Sequence, residues 1–179
     1  LNREEVLDLV ESLEHRIKKS KYHPDLIVGV SSGGDYPARE LSKRFNVYLT
    51  NIKGNHYNLK LAGIEFDEIV GAYKIAKTFG HKPKIELIKD VELTEIKGKK
   101  ILIIDDDSYS GKTLEVVKES IEKKSPLEIK TGVLNTYEKN SLVDFAGKLL
   151  PKRDFYDLKL RFPWSKMSSH YAKWSKKES

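Results

Sequence analysis

The sequence contains no cysteine and only one methionine among its 179 residues. Without cysteine it can form neither a disulfide framework nor a thiolate metal site. No apolar run approaches the roughly 20 residues that a membrane-spanning helix needs, and the first residues have the pattern of a charged helix rather than of a signal peptide. We therefore expect no membrane segment and take the cytoplasm as the default location.

The composition favours one globular domain over residues 1–179. Charged residues make up 34% of the chain and apolar residues 39%, and this length supports one sizeable core rather than two. Lysine and arginine number 33 against 27 acidic residues, so the formal net charge is +6. This excess favours anionic partners, either phosphorylated metabolites or nucleic acid. Outside the Lys-rich tail the basic residues are spread along the chain, so charge alone does not choose between them.

Short aliphatic runs alternate with amphipathic stretches along the chain. Strands are predicted at 25–30, 46–52, 84–89, 101–104 and 128–137, and helices at 3–19, from about 36, at 65–79 and at 113–124. Asn2 and Glu5 have the capping-box pattern at the start of the first helix, and Asp35 is predicted to cap the second. Strands that alternate with helices are joined by crossovers. The pattern therefore predicts an α/β fold with a mainly parallel sheet, covered by helices on both faces. A polar segment at about 53–63, interrupted by glycines, is predicted to be a mobile loop.

Residues 101–113, ILIIDDDSYSGKT, join an aliphatic strand to three consecutive acids and a glycine-containing turn. In a parallel sheet, ligands bind beyond the carboxyl ends of the strands, so Asp105, Asp106 and Asp107 are predicted to face a crevice rather than the core. The turn leads into a helix whose first N–H groups are unpaired and whose dipole favours an anion. The stretch therefore predicts carboxylates for hydroxyl groups or a metal beside a phosphate site, as a sugar phosphate would need.

Other interpretations of this stretch were considered. A P-loop needs a glycine five residues before Gly111, where this chain has Asp106, so that motif is excluded. A receiver domain and an Asp-x-Asp phosphatase remain alternatives, although both normally carry their acids near the start of the chain. Simple capping of a helix is a third alternative. One acid would suffice for it, whereas three adjacent acids repel one another.

Three stretches resemble a known family. ILIIDDDSYSGKTL resembles the phosphoribosyl-diphosphate-binding signature of type I phosphoribosyltransferases, with Ser110 in place of the first threonine of its Thr-Gly-x-Thr turn. LIVGVSSGGDYPAREL resembles the strand, glycine loop and helix that hold diphosphate in the 6-oxopurine enzymes. DLKLRFPWS resembles the Phe-Pro-Trp segment of the xanthine–guanine and archaeal purine branch. The resemblance covers roughly residues 25–165. It implies the type I fold, with a small C-terminal hood segment at about 137–165 that helps to form the base pocket.

The resemblance also implies roles for individual residues. Asp105, Asp106 and Asp107 would be the catalytic acids, and the first two would hold the ribose hydroxyls directly or through Mg²⁺. The 5′-phosphate would be bound by Ser108, Tyr109, Ser110, Gly111, Lys112 and Thr113. The diphosphate would be bound by Ser32, Gly33, Gly34 and Lys53. The base would be bound by Lys139, Phe162 and Trp164.

The activity implied by the resemblance is Mg²⁺-dependent transfer of 5-phosphoribose from phosphoribosyl diphosphate (PRPP) to a nucleobase. The products would be a nucleoside monophosphate and diphosphate. The Phe-Pro-Trp segment favours a purine as the base, and the reaction would then belong to purine salvage. By similarity to relatives, a dimer or tetramer is expected, without a nucleic-acid partner. Tyr109 stands where the 6-oxopurine enzymes usually have an aspartate, and a tyrosine with a free pKa near ~10 cannot act as a base at neutral pH. The alternative is a non-enzymatic regulator of the same fold that senses a nucleotide or PRPP. This alternative includes a regulator that binds RNA.

Overall fold

The computed structural model describes most of the chain. The described residues are 1–56, 85–108, 111–137, 141–151, 161–165, 168 and 170–178. The predicted helix at 65–79 and the part of the predicted loop after residue 56 lie outside them. So do three of the predicted ligand-binding residues, Tyr109, Ser110 and Lys139.

The helices and strands follow one another in the order expected of an α/β protein. In chain order they are α1 (Arg3–Lys19), β1 (Leu26–Ser31), α2 (Asp35–Phe45), β2 (Tyr48–His56), β3 (Ile85–Lys89), α3 (Leu93–Ile96), β4 (Lys100–Ser108), α4 (Lys112–Glu122), β5 (Glu128–Tyr137), β6 (Phe145–Leu150) and α5 (Tyr171–Glu178). Every predicted strand is present. The ends of β5 are as predicted and those of the other four are shifted, whereas α3, β6 and α5 were not predicted. Within the described ranges, no helix is long and apolar enough to cross a bilayer.

The described strands form one sheet in the order β3-β2-β1-β4-β5-β6. Neighbouring strands from β2 to β6 run parallel, and only β3 runs antiparallel, against β2. The prediction of a mainly parallel sheet is therefore confirmed. Because β2 lies on one side of β1 and β4 on the other, the strand order reverses between β1 and β4. Such a reversal opens a crevice at the carboxyl ends of the two central strands.

Both faces of the sheet are buried, as its aliphatic strands predict. Alternate residues of β4 point to opposite faces. Leu102 and Ile104 pack into the cluster formed with α1 and α2, while Ile101 and Ile103 pack into the cluster formed with α4. Burial of each such side chain contributes about 1.5–3 kcal/mol. This alternation also decides where the acids at the end of β4 point.

The two N-terminal helices begin in different ways. Helix α1 has the predicted capping box, in which Glu5 N donates to Asn2 Oδ1 at 2.9 Å and Asn2 N donates to Glu5 Oε2 at 2.6 Å. The prediction that Asp35 caps α2 was wrong, because Gly34 occupies the N-cap position without a side-chain cap. Asp35 instead accepts a hydrogen bond from Ser31 Oγ at 2.6 Å and so closes the turn after β1.

Candidate active site

At the crevice between β1 and β4, backbone pairing between the two strands stops before either strand ends. β4 pairs with β1 only as far as Ile104, which lies opposite Gly29, but it pairs with β5 through Ser108. Residues 105–108 therefore have no backbone pairing with β1 and flank its last residues and the turn that follows it. The acids were predicted to follow the strand and in fact are its last residues, since β5 still supplies backbone partners at this height.

The pleat of β4 separates the three acids. Asp106 lies on the α1–α2 face, like Ile104, whereas Asp105 and Asp107 lie on the α4 face. Asp105 is only 8% exposed, Asp106 is half-buried and Asp107 is exposed. The prediction that all three face a crevice rather than the core is thus corrected for Asp105, which is buried at the base of the site.

The Asp106 carboxylate touches the glycine turn after β1. A Cβ atom on Gly33 would lie 2.5 Å from the Asp106 carboxyl carbon and would also overlap its Oδ2. A Cβ on the next residue, Gly34, would overlap the carbonyl oxygen of Ile104. Only glycine allows this close approach of the β1 turn to β4. The predicted diphosphate-binding glycines and the predicted ribose-binding acid are therefore adjacent in space.

Two donors hold the Asp106 carboxylate. The indole Nε1 of Trp164 donates to Oδ2 at 2.8 Å, and the backbone N of Asp107 donates to Oδ1 at 2.8 Å. The Trp164 ring lies parallel to Phe162, with 4.8 Å between centroids and 2° between planes. The structure thus places Trp164 against an acid of the site and Phe162 beneath it at 5% exposure. The base-binding role implied for both residues stays a prediction.

Burial raises the pKa of all three acids, and the Asp106 charge adds to the rise at Asp105 and Asp107. Desolvation and then the Asp106 charge raise the pKa of Asp105 well above its usual value. Desolvation also raises the pKa of Asp106, against the hydrogen bond from Trp164. Desolvation by the crevice and the Asp106 charge raise the pKa of Asp107 to about 7, with Arg161 opposing the rise. Water on the open side of Asp107 offsets part of that desolvation. A cation or a hydroxyl donor would relieve this repulsion.

Helix α4 presents its N-terminus beside these acids. Its N-cap is the buried Gly111 at φ 75°, a conformation that favours glycine, and no side chain caps the helix. Uncapped N–H groups at a helix start bind anions readily. Thr113 is half-buried in the first turn. Lys112 is exposed and pairs with Glu115 of the same helix, so in this structure its ammonium is held beside that carboxylate.

The predicted diphosphate residues lie on the other side of the crevice. Ser32 is exposed directly after β1, and the Ser31–Ser32 peptide bond is cis. Lys53 is exposed on β2 in register with Ser31. Lys53 had been placed in a mobile loop at 53–63, but β2 continues through residue 56 because β3 pairs with its end. The structure therefore brings Lys53 beside the glycine turn on a paired strand.

Pattern reasoning missed several residues of this region. Asn135 lies opposite Asp107 on β5, and its Oδ1 is buried without a hydrogen-bond partner among the described residues. The charge of Arg161 lowers the pKa of Asp107. The rings of Tyr36 and Trp174 pack around Trp164. Of these residues, only Trp174 could have been noticed from the sequence, because it is an isolated aromatic residue in a Lys-rich tail.

The described residues contain no group of three or more carboxylate or imidazole side chains arranged as a metal cage. Mg²⁺ usually takes one or two carboxylates together with substrate phosphates and water. The oxygen donors and mutually repelling charges of Asp105 and Asp106 fit such an ion. Asp106 is the more accessible of the two.

Comparison with protein-family models matches residues 1–146 to the phosphoribosyl transferase domain. No curated protein gave a match. Among solved structures, a purine phosphoribosyltransferase from Pyrococcus horikoshii Ot3 is 29% identical, with a TM-score of 0.59 over 84% of this chain and 86% of that one.

Two further solved structures share the fold at lower identity. A xanthine-guanine-hypoxanthine phosphoribosyltransferase from Helicobacter pylori is 20% identical, with a TM-score of 0.55 over 84% of this chain and 83% of that one. A hypothetical protein from Neisseria gonorrhoeae with bound ppGpp is 15% identical, with a TM-score of 0.65 over 85% of this chain and 82% of that one. At these identities the likeness is one of fold alone.

Proposed function

We propose that the acceptor of this chain, which belongs to the phosphoribosyl transferase domain family, is a phosphoribosyltransferase and is similar to the purine enzyme of P. horikoshii, is a purine base. The reaction breaks the bond between C1 of the ribose and the diphosphate oxygen of PRPP and forms a bond from C1 to a ring nitrogen of the base. The base loses a proton to solvent. Diphosphate and a purine nucleoside monophosphate leave, which makes the reaction a step of purine salvage.

One observation carries this proposal for the site. The turn at Gly33 lies against the Asp106 carboxylate, and the N-terminus of α4 follows Asp107 after a short connection. The proposed diphosphate site, the proposed hydroxyl-binding acid and the proposed 5′-phosphate site would thus follow one another along the crevice. PRPP carries its diphosphate, ribose hydroxyls and 5′-phosphate in the same order.

The residues of this chain contribute to the reaction mainly by position and charge. The N–H groups at the start of α4 bind the 5′-phosphate, and Asp106 accepts hydrogen bonds from ribose hydroxyls. The turn at 31–34 and Lys53 receive the departing diphosphate. Departure of diphosphate leaves an oxocarbenium-like ribose, so groups already in place for both charges lower the barrier. Fixing C1 against the acceptor nitrogen contributes further.

Mg²⁺ is the cofactor expected with PRPP, and Asp105 and Asp106 are the residues that would hold it. Their oxygen donors suit a hard cation. A cation would offset the burial that raises the pKa of both carboxyls and the Asp106 charge that adds to the rise at Asp105. The ion would neutralise charge that develops on the leaving diphosphate. Because Asp105 is buried, Asp106 would make the more direct contact.

The choice of a purine rests on the relative from P. horikoshii and on the aromatic C-terminal segment. Trp164 donates to Asp106, and Phe162 stacks on Trp164. We place the base beside Trp164, where it would meet C1 of the ribose. Which purine is used depends on groups that reach its ring substituents. Lys139 is the residue proposed for that contact.

A base screen tests the proposal. The purified protein is incubated with PRPP and Mg²⁺ and, separately, with hypoxanthine, guanine, xanthine, adenine, orotate and uracil, and diphosphate release is measured. We expect turnover with one or more purines and none with the pyrimidines. Asp106→Asn should lower kcat/KM for PRPP by at least about 100-fold. Asp8→Asn, which removes the same charge from an exposed site on α1, should leave it unchanged.

Turnover with orotate or uracil alone would refute the purine assignment and leave the class intact. No turnover with any base, together with calorimetric binding of a nucleotide, would favour the nucleotide-sensing regulator. The fold neighbour with bound ppGpp makes that nucleotide the first to test in such a case. Light scattering of the same preparation tests the proposed dimer or tetramer.

A further inference from the structure

Trp164 is fixed by aromatic rings from three parts of the chain. One face of its indole lies parallel to Phe162, whose ring is buried in the main core. Tyr36 of α2 lies 5.6 Å from the Trp164 ring at 39°, and Trp174 of α5 lies 5.3 Å from it at 61°. Trp174 also meets Tyr36 edge-on at 4.6 Å. The indole therefore has neighbours that set both its tilt and its position.

The polar edge of this fixed ring points at the Asp106 carboxylate. The bond from Nε1 to Oδ2 is 2.8 Å long and joins residues 58 positions apart in the chain. On the opposite oxygen, Oδ1 accepts the Asp107 amide at 2.8 Å. Each carboxylate oxygen can accept two hydrogen bonds, so each keeps capacity for a ligand. With Gly33 against the same group, the carboxylate is held in one orientation before any ligand arrives.

We infer that Trp164 is a positioning residue that orients the Asp106 carboxylate for PRPP, and that helix α5 supports this orientation through Trp174. The inference rests on the ribose-binding or metal-binding role proposed above for Asp106. It assigns a function to the C-terminal helix, which lies beyond the family-model match at residues 1–146. It also differs from base stacking, because the group in use is the indole N–H rather than a ring face.

Catalytic groups must be held within a fraction of an ångström by side chains whose own rotamers are locked. An indole suits this task because it has few rotatable bonds and one strong donor. Its hydrogen bond also favours the ionised form of Asp106, which is the form that accepts hydrogen bonds from hydroxyls. Loss of the donor should therefore alter PRPP binding more than base binding.

The chain contains only two tryptophans, which makes the contact observable without turnover. A ¹⁵N-labelled sample gives one indole N–H signal for each, and Trp174→Phe assigns them. Asp106→Asn should move the Trp164 signal upfield, because a neutral acceptor replaces a carboxylate, and should leave the Trp174 signal nearly in place. Addition of PRPP with Mg²⁺ to the wild type should also shift the Trp164 signal.

Kinetics supply the second arm. Trp164→Phe keeps an aromatic ring on Phe162 and removes the donor, so KM for PRPP should rise about 10- to 100-fold while KM for the base changes less than about 3-fold. Trp174→Ala should give a smaller change in the same direction. Tyr48→Phe, at a ring that is 84% exposed at the start of β2, serves as the control for a lost polar group and should behave as wild type. Circular dichroism verifies that each variant folds.

If neither Asp106→Asn nor PRPP changed the chemical shift of the Trp164 indole N–H, the inference would be overturned, even if Trp164→Phe failed to fold. A rise confined to KM for the base would overturn it too, in favour of base stacking, and would leave the proposed transferase activity standing. Absence of wild-type turnover would count against the proposed function alone, since the response to Asp106→Asn still reports the contact.

Discussion

The substitution Gly33→Ala adds one methyl group and should lower the rate of catalysis while leaving the stability of the fold nearly unchanged. Its Cβ would lie 2.5 Å from the Asp106 carboxyl carbon, whereas ordinary contacts lie at 3.4–4 Å, so the carboxylate must retreat by about 1 Å. The carboxylate can retreat because it is the end of a flexible side chain. The retreat should disturb the hydrogen bond from Trp164. A displacement of this size in a group that positions substrate costs about 100-fold in rate.

The stability of Gly33→Ala should change little. Alanine reduces the entropy of the unfolded chain by the equivalent of about 0.4–1 kcal/mol, which offsets part of the cost of moving Asp106. We therefore expect a free energy of unfolding within about 1 kcal/mol of wild type in urea. The rate of diphosphate release at saturating purine should fall by about two orders of magnitude.

Gly98→Ala is the matched control. Gly98 has φ 72°, and no atom lies within 4 Å of a Cβ placed there. Alanine at this site is strained without touching the crevice, so it should cost about 1 kcal/mol of stability and leave kcat/KM unchanged. The reasoning fails if Gly33→Ala retains more than about a tenth of wild-type activity, or if both variants lose activity in proportion to stability.

Three further outcomes follow from the same geometry. Asp107→Asn should raise the free energy of unfolding of the metal-free protein by about 1 kcal/mol at pH 8, after allowance for solvent screening, and should not change it near pH 4. The reason is that the pKa of Asp107 is higher in the folded protein, so the wild type is most stable below the unfolded pKa and loses that stability as the pH rises through about 7. Paired urea titrations at both pH values measure this difference. Asp144→Ala should cost about 2 kcal/mol in urea, because it leaves the buried N–H of Thr131 without its 2.8 Å acceptor, and Asp144→Asn should restore most of it. PRPP with Mg²⁺ at about 100 times its Kd should add about 2.7 kcal/mol to the wild type, seen as a rise in Tm, and far less to Asp106→Asn.

The sequence pattern was sufficient to predict five of the six described strands and their mainly parallel arrangement. Aliphatic runs of 4–8 residues between breakers mark buried parallel strands, and β5 was predicted with both ends correct at 128 and 137. The three acids after ILII and the glycines after β1 signalled a ligand site, because neither pattern helps a buried strand or its turn to form. That prediction depended on composition at strand ends, which is a local property.

The errors arose where partners distant in sequence decide the outcome. β4 was predicted to end at Ile104 because acids follow, but pairing with β5 extends it to Ser108. Strand β6 is short and partly exposed and lacks a clear alternation of apolar residues, so its sequence gives little strand signal. Helix α5 resembles a solvated basic tail, and only the packing of Trp174 against Tyr36 and Trp164 shows that it belongs to the fold.

The acids that define the site also oppose folding. Asp105 is buried next to two like charges, and its raised pKa measures the unfavourable free energy of keeping it ionised there. Within the described residues, the compensation is local: backbone amides donate to Asp105 and Asp106, and Trp164 donates to Asp106. These donors leave part of the repulsion in place. A ligand that brings hydroxyl groups and a cation would remove the remaining repulsion. Its binding would therefore be favoured by relief of an unfavourable free energy that is already present in the free protein. We therefore expect a crevice with such buried acids to favour PRPP with a cation over an uncharged ribose, before the base is bound.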